Sequence, residues 1–182
     1  MPQLSAIVNG RVFNSATGAL EDGSTVMIEG ERIVEVTQES RSIAQAHVID
    51  VGGRVVLPGL IDANVKVTAV SHDVLRMAAQ PPSLITAQAK GILEGMLMRG
   101  FTSVRDAAGA DFGLQEAVQQ GLFTGPRLFI SGWPITQTGG HADVRPQGAR
   151  EIYCTCAGLG LFGAVADGVG AVRRAVREQV RN

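Results

Sequence analysis

The sequence has no excess of charge of either sign and no long apolar run. Among 182 residues there are 16 Lys and Arg against 17 Asp and Glu, which gives a formal net charge of -1. This balance provides no electrostatic basis for binding nucleic acid or an anionic membrane surface. Every apolar run is shorter than the roughly 18–20 residues that a membrane span requires. We therefore expect neither a nucleic-acid partner nor a membrane partner.

Cysteine is also scarce, with only Cys154 and Cys156 present. Two cysteines cannot build a disulfide framework, and their spacing differs from that of a redox Cys-x-x-Cys motif. Two thiolates are too few ligands for a tetrahedral zinc site. The first residues lack the basic and apolar regions of a signal peptide. The sequence thus predicts two free thiols and a cytoplasmic protein.

What the sequence does contain is glycine, 23 residues in all, within a chain that is 45% hydrophobic. Short β-branched segments fill residues 1–57, and turn residues separate them. Asn9-Gly10 predicts a tight turn, Gly30-Glu31 predicts a hairpin, and Gly52-Gly53 predicts another between 48–51 and 55–57. Alternation over 33–36 predicts a strand with one solvent-exposed face. We predict a small all-β unit over residues 1–57.

The pattern changes after Pro58-Gly59 to strands that alternate with helices. The predicted strands are 60–67, 101–104 and 128–130, and the first is expected to be buried. Helices are predicted from an N-cap at Ser83, over 114–118, and from an N-cap at Asp167. The first helix is expected to carry one apolar face, formed by Ile85, Ala89, Ile92, Leu93, Met96 and Leu97. The last helix is expected to turn its four regularly spaced valines inward, namely Val169, Val172, Val176 and Val180. Such alternation predicts an α/β fold with a parallel sheet.

Four segments occur in the same order and at similar spacing in a known family. They are 55–62 (VVLPGLID), 99–106 (RGFTSVRD), 125–132 (GPRLFISG) and 136–143 (TQTGGHAD). The chain resembles the metal-dependent amidohydrolase superfamily, in the branch of Xaa-Pro dipeptidases and imidazolonepropionase-like enzymes. The resemblance implies a (β/α)8 barrel that carries a small β-sandwich.

A whole barrel of this kind needs about 250 residues, but only 125 residues run from 58 to 182. The resemblance therefore implies a β-sandwich portion over 1–57 and the first three β/α units of an incomplete (β/α)8 barrel over 58–182. Open strand edges and an uncovered interior are liabilities in water. We expect the chain to associate with a complementary chain or with itself.

In the resembling enzymes the first barrel strand ends in His-x-His, which binds a divalent cation. Asn64 and Lys66 occupy these positions here. Asn offers a weak carbonyl oxygen, and a protonated Lys has no lone pair. The family's remaining ligands, a carbamylated lysine, two histidines and an aspartate, would lie beyond residue 182. We therefore predict no cofactor for this chain, whereas intact relatives hold zinc.

Three residues are candidates for substrate binding. His141 matches a pocket histidine of the resembling enzymes, Asp106 ends the second strand, and Trp133 follows the third within the long segment 132–167. Loops at the carboxyl edge of parallel strands bind ligands. The alternatives are an inert loop for His141, an ion pair or helix cap for Asp106, and packing for Trp133.

Other polar residues are assigned to structure rather than to a site. His47 is expected in a strand and Arg105 on the face opposite Asp106. His72 is expected to be a solvated loop residue, with a position at the mouth of the active site as the alternative.

The sequence is compatible with two functions. One is a hydrolase of amide or peptide C–N bonds by resemblance, here lacking its metal ligands and inactive alone; intact relatives would take a small amide or dipeptide. The alternative is a catalytically dead binding module that completes its barrel with a partner chain or by self-association. A nucleotide-binding domain is disfavoured, because no strand leads into the glycine-rich residues 158–170.

Overall fold

The computed structural model describes residues 3–38, 45–73, 76–77, 80–145, 147–148 and 163–181. Cys154 and Cys156 lie outside the described residues, so the prediction about their thiols is not tested. The chain divides into two compact units, Met1–Pro58 and Gly59–Asn182. Each unit is described by itself. Their assignment as a β-sandwich portion and a partial barrel stays a prediction.

The first unit is a five-stranded sheet. Its strands are β1 (Leu4–Asn14), β2 (Ala19–Glu29), β3 (Arg32–Thr37), β4 (His47–Asp50) and β5 (Val55–Val56). Their order is β3-β2-β1-β4, and β5 also pairs with β1. The pairs β1–β2 and β2–β3 are antiparallel, which confirms the hairpin predicted at Gly30-Glu31. His47 lies in β4, as predicted.

The turn predicted at Asn9-Gly10 is wrong, because both residues lie inside β1 at an irregularity in its pairing with β2. Asn9 has a φ of 57°, the left-handed conformation that a tight turn would also use. A Cβ on Gly10 would come within 2.8 Å of side-chain atoms of both Val51 and Val56. The residue pair therefore marks a bulge and a close approach rather than a chain reversal.

Two further expectations for this unit are wrong. β4 and β5 do not pair with each other as a hairpin; each runs parallel to β1. The turn at 52–53 therefore moves the chain along β1 instead of back on itself. β3 has no buried face, because Ile33, Val34 and Val36 are all exposed. The alternation of residues 33–36 predicts that the strand has two different faces, but it does not predict whether another part of the protein packs against one of them.

The second unit alternates strands and helices, as predicted. Its first five elements are β6 (Leu60–Val65), α1 (Pro82–Met98), β7 (Phe101–Asp106), α2 (Phe112–Gln119) and β8 (Arg127–Ile130). β6, β7 and β8 form a parallel sheet in that order. β9 (Ile135–Thr136) and β10 (Ala164–Val165) form a short parallel pair, followed by α3 (Gly168–Arg181). No helix within the described residues has the length and apolar content needed to cross a bilayer.

The core of this unit lies between α1 and one face of the sheet. Ala89, Leu93 and Met96 of α1 are buried, as the sequence predicts, and Gly100 after the helix has a φ of 93°. The helix begins earlier than predicted, because Pro81 rather than Ser83 is its N-cap residue. The buried cluster consists of Val65, Val67, Ala89, Leu93, Met96, Val104, Ala110, Leu114 and Leu128.

α3 contradicts its predicted orientation. All four of its regularly spaced valines are exposed, up to 83% at Val180, and Ala175 is its buried residue. Asp167 precedes the helix, but its two carboxylate oxygens accept hydrogen bonds from the N–H and the hydroxyl of Thr138. The four valines lie along one side of the helix, as their spacing predicts, but no described residue covers that side.

Candidate functional site

The parallel sheet has one covered face and one open face. Val65, Val104 and Leu128 point into the buried cluster beneath the helices. The open face carries Ile61, 75% exposed, and Phe129, 51% exposed, so β6 is not the buried strand that was predicted. The pairing of β6 with β7 is irregular between residues 62 and 65, which shifts the alternation of β6 relative to its neighbour.

Asp106 ends β7 and is fully buried. Its Oδ2 accepts the N–H of Val67 at 2.7 Å, and its Oδ1 accepts the N–H groups of Ala108 at 3.0 Å and Ala110 at 3.1 Å. Burial raises the pKa of Asp106, while the three hydrogen bonds and the positive charge of Lys66 act in the opposite direction. The carboxylate thus ties the end of β6 to the turn after β7.

Asp106 caps the turn that follows its strand, whereas the helix cap that was the alternative for Asp106 is formed by Asp111, the N-cap residue of α2. Both oxygens are engaged by backbone donors, and the side chain has no exposed surface for a ligand. Asp106 therefore positions the carboxyl edge of the sheet. Direct substrate binding by this residue stays a prediction.

Trp133 lies just beyond β8 and lines an open cavity of about 770 Å³. Gln179 and Val180 of α3 and Gln115 of α2 line the same cavity. The N–H of Trp133 donates to Oε1 of Gln179 at 2.7 Å. The N–H of Gly109 donates to the carbonyl of Gly132 at 3.0 Å, so the turn after β7 is joined to the segment that holds Trp133.

His141 lies in an exposed turn that is stabilised by hydrogen bonds between residues of the turn. The N–H of Gly140 donates to the Gln137 carbonyl at 2.8 Å, and the N–H of Gly139 donates to Oδ2 of Asp143 at 2.8 Å. The described residues show no hydrogen bond from His141 to Asp106 or Trp133, and His141 is not among the residues that line the large cavity. The structure therefore joins the turn after Asp106 to the segment that holds Trp133, and among the described residues no such link reaches His141.

Sequence reasoning missed the ion pair that fixes this turn. Arg145 contacts both carboxylate oxygens of Asp143, each at 2.6 Å, and this pairing holds the pKa of Asp143 well below its usual range. The hydrogen bonds from Thr138 likewise lower the pKa of Asp167 and join the turn to the start of α3. The spacing Asp-x-Arg after a Gly-Gly pair was the available signal.

Arg105 lies on the face opposite Asp106, as predicted. It is exposed on the open face, the same face as Phe129, with which it pairs in register. Its Nε donates to the carbonyl of Ala63 at 2.8 Å. Asn64 near the end of β6 and Lys66 just after it are exposed beside Arg105, and His72 is exposed in the loop beyond, as predicted for a solvated loop residue.

The residues at the end of β6 do not fit a zinc ion. Asn64 offers an amide oxygen, and the ammonium of Lys66 offers three donors and a positive charge. Within the described ranges, no cluster of three or more His, Cys, Asp or Glu side chains is placed to hold a metal. The donor set disagrees with the zinc that the family resemblance implies.

Comparisons with known proteins agree with the resemblance. A prolidase crystallised with N-methylphosphonate-L-proline superposes with a TM-score of 0.92 at 44% identity, over 98% of this chain and 44% of the prolidase. Ochratoxinase of Aspergillus niger is 37% identical over 113 residues, 58% of this chain and 23% of that enzyme. A dihydroorotase of Leifsonia xyli is 32% identical over 164 residues, 86% of this chain and 32% of the relative.

This chain spans less than half the length of each of these relatives. The sequence profile of the amidohydrolase family matches residues 55–182, which include the whole strand–helix alternation of the second unit. The mixed α/β fold, the matched profile and the superposition on a prolidase confirm the resemblance. The chain belongs to the amidohydrolase family.

Proposed function

We propose that this amidohydrolase-family chain has no hydrolase activity of its own and serves as a binding and assembly module. The observation that carries the proposal is the pair Asn64 and Lys66 at the end of β6. In intact relatives a bound zinc supplies an activated water at neutral pH. An amide and an ammonium cannot replace the two imidazoles that would bind it.

The exposed apolar surfaces support the assembly role. Ile61 and Phe129 lie uncovered on the open face of the sheet, and the four valines of α3 form a stripe along one side of that helix. Large exposed apolar surfaces mark interaction sites, and unpaired strand edges favour strand addition. Both β6 and β8 are edge strands of the described sheet.

The structure that fits these surfaces is a set of further β/α units of the same family. The prolidase that superposes on 98% of this chain has more than half of its own length outside the match. Units equivalent to that remainder would continue the sheet beyond β8 and cover its open face, giving a (β/α)8 barrel. The completed assembly would take a small amide or dipeptide, the substrate class that the prolidase resemblance suggests.

A hydrolysis assay tests the catalytic half of the proposal. The purified chain is incubated with Xaa-Pro dipeptides and N-acyl amino acids, with and without added zinc. We expect no rate above the buffer blank. The Asp106→Ala variant, purified in parallel, reveals a contaminating hydrolase, which would give both preparations the same rate. Zinc-stimulated hydrolysis by the wild type that is absent from the variant would overturn this half.

A capture experiment tests the assembly half. The carboxyl-terminal portion of the 44%-identical prolidase is co-expressed with this chain and recovered through an affinity tag. We expect a stoichiometric complex that Val176→Glu weakens. Arg177→Glu is the matched control, because it places the same carboxylate on the charged side of α3. A wild-type chain that is not captured, and that also sediments as a monomer at high concentration, would contradict the assembly role. Self-association would instead identify a second copy as the partner.

A further inference from the structure

The open face of the β6-β7-β8 sheet concentrates positive charge at one end. Lys66 and Arg105 are both exposed there, and Asn64 lies two residues before Lys66. The Nε of Arg105 donates to the Ala63 carbonyl at 2.8 Å, which places its guanidinium against β6 next to Asn64. These groups supply hydrogen-bond donors from two neighbouring strands.

No described carboxylate neutralises this charge directly. Ion pairs in the described ranges include Arg11 with Asp22 and Arg145 with Asp143, and none is found there for Lys66 or Arg105. Asp106 interacts electrostatically with Lys66, but it is buried and both of its oxygens accept backbone N–H groups. These cationic groups therefore keep donors available to a ligand.

The carboxylate of Asp62, a half-buried residue of β6, accepts a hydrogen bond within its own strand. Oδ1 of Asp62 accepts the N–H of Asn64 at 3.0 Å. Asp62 pairs in register with Val104, whose side chain lies in the buried cluster on the covered face. Its position therefore follows the covered side of the sheet rather than the side that carries Lys66 and Arg105.

Apolar side chains flank the cationic end. Phe129 pairs in register with Arg105 on the neighbouring strand and is half exposed on the same face. Ile61 lies further back along β6 and is more exposed still. The surface therefore has cationic side chains at one end and exposed apolar side chains beside them. This arrangement is complementary to a ligand with one anionic group and one apolar group.

We propose that this face binds a small organic carboxylate with an apolar substituent, in place of the divalent cation that the family resemblance implies. The carboxylate accepts hydrogen bonds from the Lys66 ammonium and from the terminal nitrogens of Arg105, and the substituent lies against Phe129. The site would then bind an anion where the related enzymes bind a cation. The proposal concerns the chain on its own, because the assembly proposed above would cover the same face.

The test compares two probes of equal shape, phenylacetate and phenylacetamide, titrated into the full chain by calorimetry and by NMR. We expect phenylacetate to bind at least about tenfold more tightly than the neutral amide, because charge-assisted hydrogen bonds need the carboxylate. Equal affinity for the two probes, or binding of neither, would overturn the proposal.

Variants locate the site. Lys66→Gln and Arg105→Lys are each expected to weaken phenylacetate binding, Lys66→Gln by about tenfold through loss of the charge. Lys90→Gln on α1 is the matched control and should leave the affinity unchanged; its ammonium lies 5.8 Å from the centre of the Phe123 ring. Lys66 is exposed, so circular dichroism should show a folded Lys66→Gln chain. Unchanged affinity in that variant would overturn the assignment.

A double variant tests the reversal of charge. Asn64→His with Lys66→His should lose phenylacetate affinity and gain measurable zinc binding relative to the wild type, because two imidazoles then share one side of the strand. Stoichiometric zinc binding by the wild type together with no effect of phenylacetate would refute the proposal.

Discussion

Leu128 and Phe129 are neighbours in β8, yet one is buried beneath the helices and the other is half exposed on the open face. The same contrast separates Val104 from Arg105 on β7. Strands of parallel sheets are usually covered on both faces, and their sequences are apolar on both. The comparison shows a sheet with one face packed against helices, while the face that carries Arg105 and Phe129 has no cover among the described residues.

The largest difference between the two faces should appear when adjacent side chains of β8 are truncated. Leu128→Ala should lower the free energy of unfolding by about 2–5 kcal/mol, because it opens a cavity in the buried cluster. Phe129→Ala should cost less than about 1 kcal/mol, since half of its ring is already in water. Urea unfolding of both variants measures the contrast. Equal losses would show that the open face is covered in solution.

The covered end of the sheet also depends on a polar group. Asp106→Ala should lower the free energy of unfolding by about 2–3 kcal/mol, because it leaves three backbone N–H groups of the carboxyl edge without an acceptor. Asp62→Ala is the control, since Asp62 accepts one N–H at an exposed position. A cost for Asp106→Ala no greater than that of the control would mean that water replaces the carboxylate.

Buried and exposed carboxylates should respond to pH with opposite signs. The pKa of Asp106 is raised by burial, so its contribution to stability is present below the unfolded pKa of about 3.8 and is lost as pH rises through its folded value. The pKa of Asp167 is lowered by Thr138, so its contribution is present above about 3.8 and is lost as pH falls.

Urea unfolding between pH 3 and pH 6 measures both signs. The wild type should lose stability relative to Asp106→Asn as pH rises, and should gain stability relative to Asp167→Asn over the same range. Parallel curves for all three proteins would show that neither carboxylate has a shifted pKa.

The smallest change in the free energy of unfolding is expected on α3, where a buried residue and an exposed residue are again neighbours. Val176→Gln should change the free energy of unfolding by less than about 0.5 kcal/mol because Val176 is exposed, whereas Ala175→Gln should cost more than about 1 kcal/mol at a buried position. Thermal unfolding of the two variants provides the measurement. A large loss from Val176→Gln would indicate a contact that covers the valine stripe in solution.

The sequence predicted those elements whose local signals are unambiguous. The buried face of α1 followed from the spacing of Ala89, Leu93 and Met96, and the β2–β3 hairpin followed from Gly30. Asn9-Gly10 misled because a bulge and a turn both use the left-handed conformation. The stripe of α3 was identified, but periodicity cannot say which surface covers an apolar face.

The candidate site was harder to predict, because the side on which a residue lies depends on strand register. Arg105 lies on the face opposite Asp106, as expected, but Asp106, which was expected at a pocket, is buried among backbone donors. The irregular pairing between residues 62 and 65 adds to this, since it changes the alternation of β6. The replacement of the expected histidines by Asn64 and Lys66 needed no structure to be recognised.

The position of β1 affects how the chain folds as it is synthesised. β1 has β2 on one side, and β4 and β5 on the other, so a strand that leaves the ribosome before these partners becomes the interior strand of the sheet. β2 follows β1 after a short turn and can pair with it early. The pairs Ser5–His47 and Arg11–Val55 can form only after those later residues have been synthesised. Contacts between residues far apart in sequence form slowly. One edge of β1 therefore stays open to other chains until residue 56 has emerged, and chaperones have that interval in which to bind it.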